Sequence, residues 1–177
     1  CSRLKEIIIP EGVKIMGQYT FQGCQSLKKA SLPSTLTDSF TYDGCTFPSS
    51  YYNGNNFAGC TNLEEVILQE GLTLLYSYMF YGATSIKHIT LPSTLKSINS
   101  AFNGCSGLLE LELPDGLIQL GNMDNCSSLK SLVIPEGVTE VGSFYDCTQL
   151  ESVTLPSELA GWLPNFKGCS NLKSITI

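Results

Sequence analysis

The chain has 177 residues, 42% of them apolar and 15% charged, with ten Lys and Arg against sixteen Asp and Glu for a net charge of −6. Such apolar content excludes a disordered chain, and the acidic balance weighs against nucleic acid or anionic lipid as the main partner, because both need a basic footprint. No apolar run approaches the roughly 18 residues that span a bilayer, and the start at Cys1, without initiator Met or signal-like segment, reads as part of a longer protein.

In chain order, one short segment recurs. It is LKEIIIP at 4–10, LKKASLP at 27–33, LEEVILQ at 63–69 and IKHITLP at 86–92. LLELELP at 108–114, LKSLVIP at 129–135, LESVTLP at 150–156 and LKSITI at 172–177 follow. The central apolar residues are Ile7, Ala30, Val66, Ile89, Leu111, Leu132, Val153 and Ile175, at spacings of 23, 36, 23, 22, 21, 21 and 22. Within each segment apolar and outward residues alternate, the period of a strand with one buried face. Pro then stops the strand, since it has no N–H to offer a neighbour. A short turn, Glu-Gly, Asp-Gly, Ser-Thr or Ser-Glu, leads to a second apolar pair such as Leu117 and Leu120. An aromatic or Met fills the far corner: Phe21, Phe57, Phe80, Phe102, Met123, Phe144 and Phe166.

A coil of about 22 residues cannot bury its own apolar side, whereas stacked coils share a continuous core. The expected fold is therefore a leucine-rich-repeat solenoid over 1–177, a single domain of about eight coils. One parallel β-sheet should line one face, with short strands, 3₁₀ turns and loops opposite and no long helices. Between Cys24 and Cys60 the interval is too long. Either Tyr42-Asp43-Gly44-Cys45 closes the coil and 46–59 form an extra loop, or the surplus lies within 37–56 and closure falls at Cys60. In both cases Tyr51 and Tyr52 sit in a Ser, Asn and Gly-rich bulge, a composition also found in antibody binding loops. It reads more readily as a tolerated insertion without a ligand.

The pattern LxxIxLPxxLxxIxxxxFxGCxxL resembles the BspA-like class of leucine-rich repeats. The resemblance implies a bacterial surface or secreted protein, or a parasitic protist's surface protein, acting in adhesion, protein binding or coaggregation. Gln69 in place of Pro, Ala83 in place of Cys and the long second repeat depart from it. The resemblance also implies that the strand face is concave. Outward residues there include Glu65, Ile67, His88, Thr90, Glu110, Glu112 and Val133, an acidic patch around the only His with apolar neighbours. Such a face could receive a basic segment of a partner, or be merely solvated, its Thr, Ile and Val reflecting strand propensity.

Cys1, Cys24, Cys60, Cys105, Cys126, Cys147 and Cys169 hold one slot in successive coils. Parallel Cβ vectors about 4.8 Å apart suit buried free thiols better than disulfides, and Cys45 is left over. No CxxC or HExxH occurs, and Glu65, Glu110 and Glu112 offer too few oxygens for calcium, so neither metal nor cofactor is expected. An open face with one His is poor ground for catalysis, and the chain reads as no enzyme. Expected instead is a monomeric, secreted or cell-surface module binding protein or glycan, or else an architectural spacer.

Overall fold

The computed structural model describes residues 1–37, 39–42, 45–48, 54–161 and 163–177; for 39–42 and 45–48 only the backbone is considered. Among the described residues it is a helix-free β-solenoid whose front and back strands run parallel from coil to coil. The front sheet starts with β1 (Glu6–Ile8), β2 (Lys29–Leu32) and β5 (Glu65–Leu68), and ends with β9 (Ser131–Val133), β11 (Ser152–Thr154) and β12 (Ser174–Thr176). Register aligns Ile7 with Ala30 and Val66, and Leu132 with Val153 and Ile175. The central residues turn inward except at the C-terminal strand, where Ile175 is exposed. Ala30, Val66, Ile89, Leu111, Leu132 and Val153 are buried, and Ile7 in the first coil is half-buried.

The back of the stack carries a second parallel sheet of two-residue strands: β6 (Leu74–Leu75), β7 (Ser97–Ile98), β8 (Gln119–Leu120) and β10 (Glu140–Val141). These bring Leu75, Ile98 and Leu120 into the core behind the front row. At the corner, phenyl rings stack from coil to coil: Phe21 on Phe57 at 5.3 Å, Phe57 on Phe80 at 5.7 Å, Phe80 on Phe102 at 5.7 Å and Phe144 on Phe166 at 5.3 Å. Met123 occupies the step between Phe102 and Phe144 and is fully buried.

The seven described cysteines are free. Thiols of the corner slot donate to the corner carbonyl of the coil before: Cys60 to Phe21 (3.1 Å), Cys105 to Phe80 (3.2 Å), Cys126 to Phe102 (3.2 Å) and Cys169 to Phe144 (3.0 Å). Cysteine thus serves as a small apolar filler with one weak donor.

Turns after the strands are laced together by a device that composition does not reveal. Glu11 accepts both the N–H and the hydroxyl of Ser34 at 2.9 Å. Glu70 does the same for Ser93 at 3.0 Å, and Glu136 for Ser157 at 2.9 and 2.8 Å. A carboxylate in one coil thereby satisfies a turn donor in the next.

Part of the surplus in the second repeat is strand, not irregular loop. β3 (Ser39–Tyr42) and β4 (Cys45–Pro48) pair antiparallel, with Tyr42 opposite Cys45. Phe57 and Cys60 carry the corner and its closure, so Cys45 belongs to that pair. Where the chain leaves the coil, the buried Tyr76 hydroxyl donates to the Thr37 carbonyl at 2.8 Å.

Candidate binding face

Front strands present outward the residues that flank each central position. Ile8 and Val133 are 64% and 66% exposed, unusual for apolar side chains on a sheet, while Glu65, His88, Thr90, Glu110 and Glu112 are all exposed and Ile67 is half-buried. Tyr51 and Tyr52 lie outside the described residues. The sheet therefore gathers the predicted acids and His88 on one face, with Val133 beyond them.

Charge on this face is largely paired between coils. Lys29 meets Glu65 at 2.9 Å, Lys28 meets Glu64 at 3.5 Å and His88 Nδ1 meets Glu110 Oε1 at 2.9 Å. The Glu65 carboxylate raises the Lys29 ammonium above its usual range through a hydrogen bond and its charge. Near the C-terminal end Lys173 meets Glu151 at 2.8 Å and lowers that carboxyl below its usual range. Glu112 has no ion pair among the described residues. The expected acidic patch thus narrows to Glu112, with Glu110 shared with the imidazole.

The front ladder is interrupted where these residues lie. Pairing stops at β5 and resumes at β9; among the described residues, 86–91 and 108–113 carry no assigned strand. Leu109 N–H still donates to the Lys87 carbonyl at 3.0 Å, so the two segments begin in step and then part. The interruption falls where the back sheet is continuous, from β6 to β10. Pairing at the back holds these coils at strand spacing without help from the front. Glu110 and Glu112, residues depleted from strands, bring no packing that would close it.

Between the parted segments is an opening of about 220 Å³ lined by His88, Ile89, Thr90, Leu91, Glu110 and Glu112. A neighbouring depression of about 460 Å³ lies between β5 and the His88 segment and includes Glu65 and Ile67. Both are open to solvent and mix carboxylate, imidazole and aliphatic lining. Among the described residues, no three His, Cys, Asp or Glu side chains converge as a metal site. Alternation alone gives the outward direction of these residues but not the gap, because the heptapeptides at 86–92 and 108–114 alternate as regularly as those that pair.

Stacked parallel strands, an apolar spine and a small-residue closure define a leucine-rich-repeat solenoid. The profile of the BspA type leucine rich repeat region matches residues 1–99, 43–143 and 117–177, and the chain belongs to that family. Among solved structures, it is similar to a leucine-rich repeat protein of T. pallidum, at 26% identity and a TM-score of 0.57, over 98% of this chain and 69% of that one. It also resembles a leucine-rich repeat protein from Bacteroides ovatus, at 24% identity and a TM-score of 0.58, over 88% of this chain and 46% of that one. No curated protein matches it. No helix among the described residues is long and apolar enough to cross a membrane.

Proposed function

We propose that the chain is a non-enzymatic binding module of a secreted or cell-surface protein, acting as a monomer through the interrupted front face. The observation that carries this reading is the opening between the His88 and Glu110 segments. It joins Glu112, which has no ion pair among the described residues, to two segments outside the strand ladder and to the aliphatic residues Ile89 and Leu91. Such a combination suits an extended protein segment bearing Lys or Arg, with main-chain groups meeting main chain and the carboxylates choosing the side chain. Solenoids in general use this long surface to bind partners.

The test is affinity capture from host serum and extracellular-matrix proteins, followed by titration of the captured partner. Glu112→Lys and Glu110→Lys should each weaken binding about tenfold or more by placing like charges together. Capture that is indifferent to both substitutions removes this face from consideration.

A further inference from the structure

Two residues before the corner ring, the backbone of the first four coils is left-handed: Tyr19 (φ 59°), Asn55 (φ 53°), Tyr78 (φ 55°) and Ser100 (φ 49°). Asn adopts this conformation readily, whereas for a bulky side chain it is an outlier with a cost. Tyr at two of the four positions therefore stands against local preference. Both rings face solvent, 52% and 38% exposed, and Tyr81 is 51% exposed. Tyr81 meets Tyr78 edge to face at 6.0 Å and 81°, which fixes both rings.

The coils follow one another in register here. Tyr19 N–H donates to the Gly54 carbonyl and Asn55 N–H to the Ser77 carbonyl, both at 3.2 Å. Tyr19 and Tyr78 thus stand two coils apart, about 10 Å, with the half-buried Asn55 between them. One position past the ring, exposed Gln22 and Tyr81 flank buried Ala58 in the same way. The intervening coil forms the floor of a trough, and Tyr19 with Gln22 faces Tyr78 with Tyr81 across it. Segments 17–23, 54–59, 77–82 and 99–104 contain no Asp, Glu, Lys, Arg or His. The same corner in later coils carries Asp124, Asp146 and Lys167.

We propose that this trough binds a neutral saccharide chain. The C–H faces of a pyranose carry slight positive charge and stack on the negative face of a phenol ring. Its hydroxyls exchange hydrogen bonds with amides such as Gln22 and Asn55, needing no ions. A span of about 10 Å admits one sugar ring between the tyrosines, with the chain running on along the groove. An acidic glycan would call for Lys or Arg, absent here. A protein partner would call for closed apolar pockets and Arg anchors, and this corner offers neither.

The test titrates the full chain with neutral hexasaccharides of glucose, mannose, galactose and N-acetylglucosamine in α and β linkage, with polygalacturonate as acidic control. At least one neutral hexasaccharide binds with a Kd below about 1 mM, more tightly than the control. Tyr78→Asn, which suits the left-handed backbone and leaves thermal stability equal or higher, and Tyr81→Ser each weaken it about tenfold. Glu112→Lys, on the front face, leaves it unchanged. Absence of binding by every neutral hexasaccharide, preference for polygalacturonate, or binding that survives Tyr19→Asn combined with Tyr78→Asn overturns the proposal.

Discussion

Cys147 donates its thiol to the carbonyl oxygen of Met123, 3.1 Å away in the preceding coil. Burial pushes the thiols of Cys105 and Cys147 up to about 12 and that of Cys60 to about 11. Since the thiolate is the reactive form, these groups are inert in the folded protein. With a thiol-specific reagent at pH 8, Cys1 is modified in the native chain, while Cys105, Cys126 and Cys147 react only after denaturant is added. Peptide mapping by mass spectrometry reads the outcome, and labelling of Cys105 or Cys147 in native protein contradicts it.

The same shift sets an alkaline limit. A thiol whose folded value is raised contributes stability that is complete below its unfolded value of 9.0 and is lost as pH climbs toward about 12. The urea midpoint therefore falls between pH 9 and 11, and Cys147→Ala makes that fall shallower. At pH 7 the same substitution costs about 1–2 kcal/mol for the lost sulfur and the space it leaves. Parallel curves for the variant and the parent would show that the thiol plays no part.

Glu136 behaves oppositely. The Ser157 N–H, and then its hydroxyl, hold this carboxyl below its usual range. Its contribution is present above the ordinary carboxylate value and disappears as pH drops through the lowered folded one. Ser157→Ala should lower the melting temperature at pH 7 and make no difference at pH 2. Scanning calorimetry at the two pH values distinguishes this from a simple packing loss, which would persist in acid.

Gly107 has no room for a side chain. A Cβ there collides with the Thr84 carbonyl oxygen, a backbone atom that cannot rotate away, whereas one at Gly161 meets open space. Gly107→Ala should destabilise the chain by roughly 2–4 kcal/mol and Gly161→Ala by less than about 0.5. Urea unfolding of the two variants beside the parent checks the contrast.

Periodicity made the spine legible because inward residues such as Val66, Leu111 and Val153 must recur wherever coils share a core. It also marked the corner rings and the cysteine slot, whose spacing follows from coil length alone. Pairing geometry was not legible. Glu110 and Glu112 look like any outward strand residues, and only the folded chain shows that front pairing lapses around them while the back sheet continues. The antiparallel pair Ser39–Tyr42 and Cys45–Pro48 escaped notice because it stands outside the recurring heptapeptide that signalled the front strands. Glu11 and Ser34 read as ordinary turn residues, since their bond joins positions twenty-three apart. Left-handed Tyr19 and Tyr78 carry no warning either, because Tyr is a residue that nobody would place in that conformation by composition.

The mismatch between a zipped back and a parted front has a mechanical outcome. Tension applied from end to end meets strand hydrogen bonds on the front at β1–β2–β5 and β9–β11–β12, and on the back from β6 to β10, so the pairing changes sides along the stack. The hinge line therefore lies at the back in the middle coils and at the front toward either end, and bending away from the back sheet widens the cleft. A filament built of such stacks would flex in opposite senses at its middle and its ends, and whatever sat in the cleft would feel bending of the middle coils.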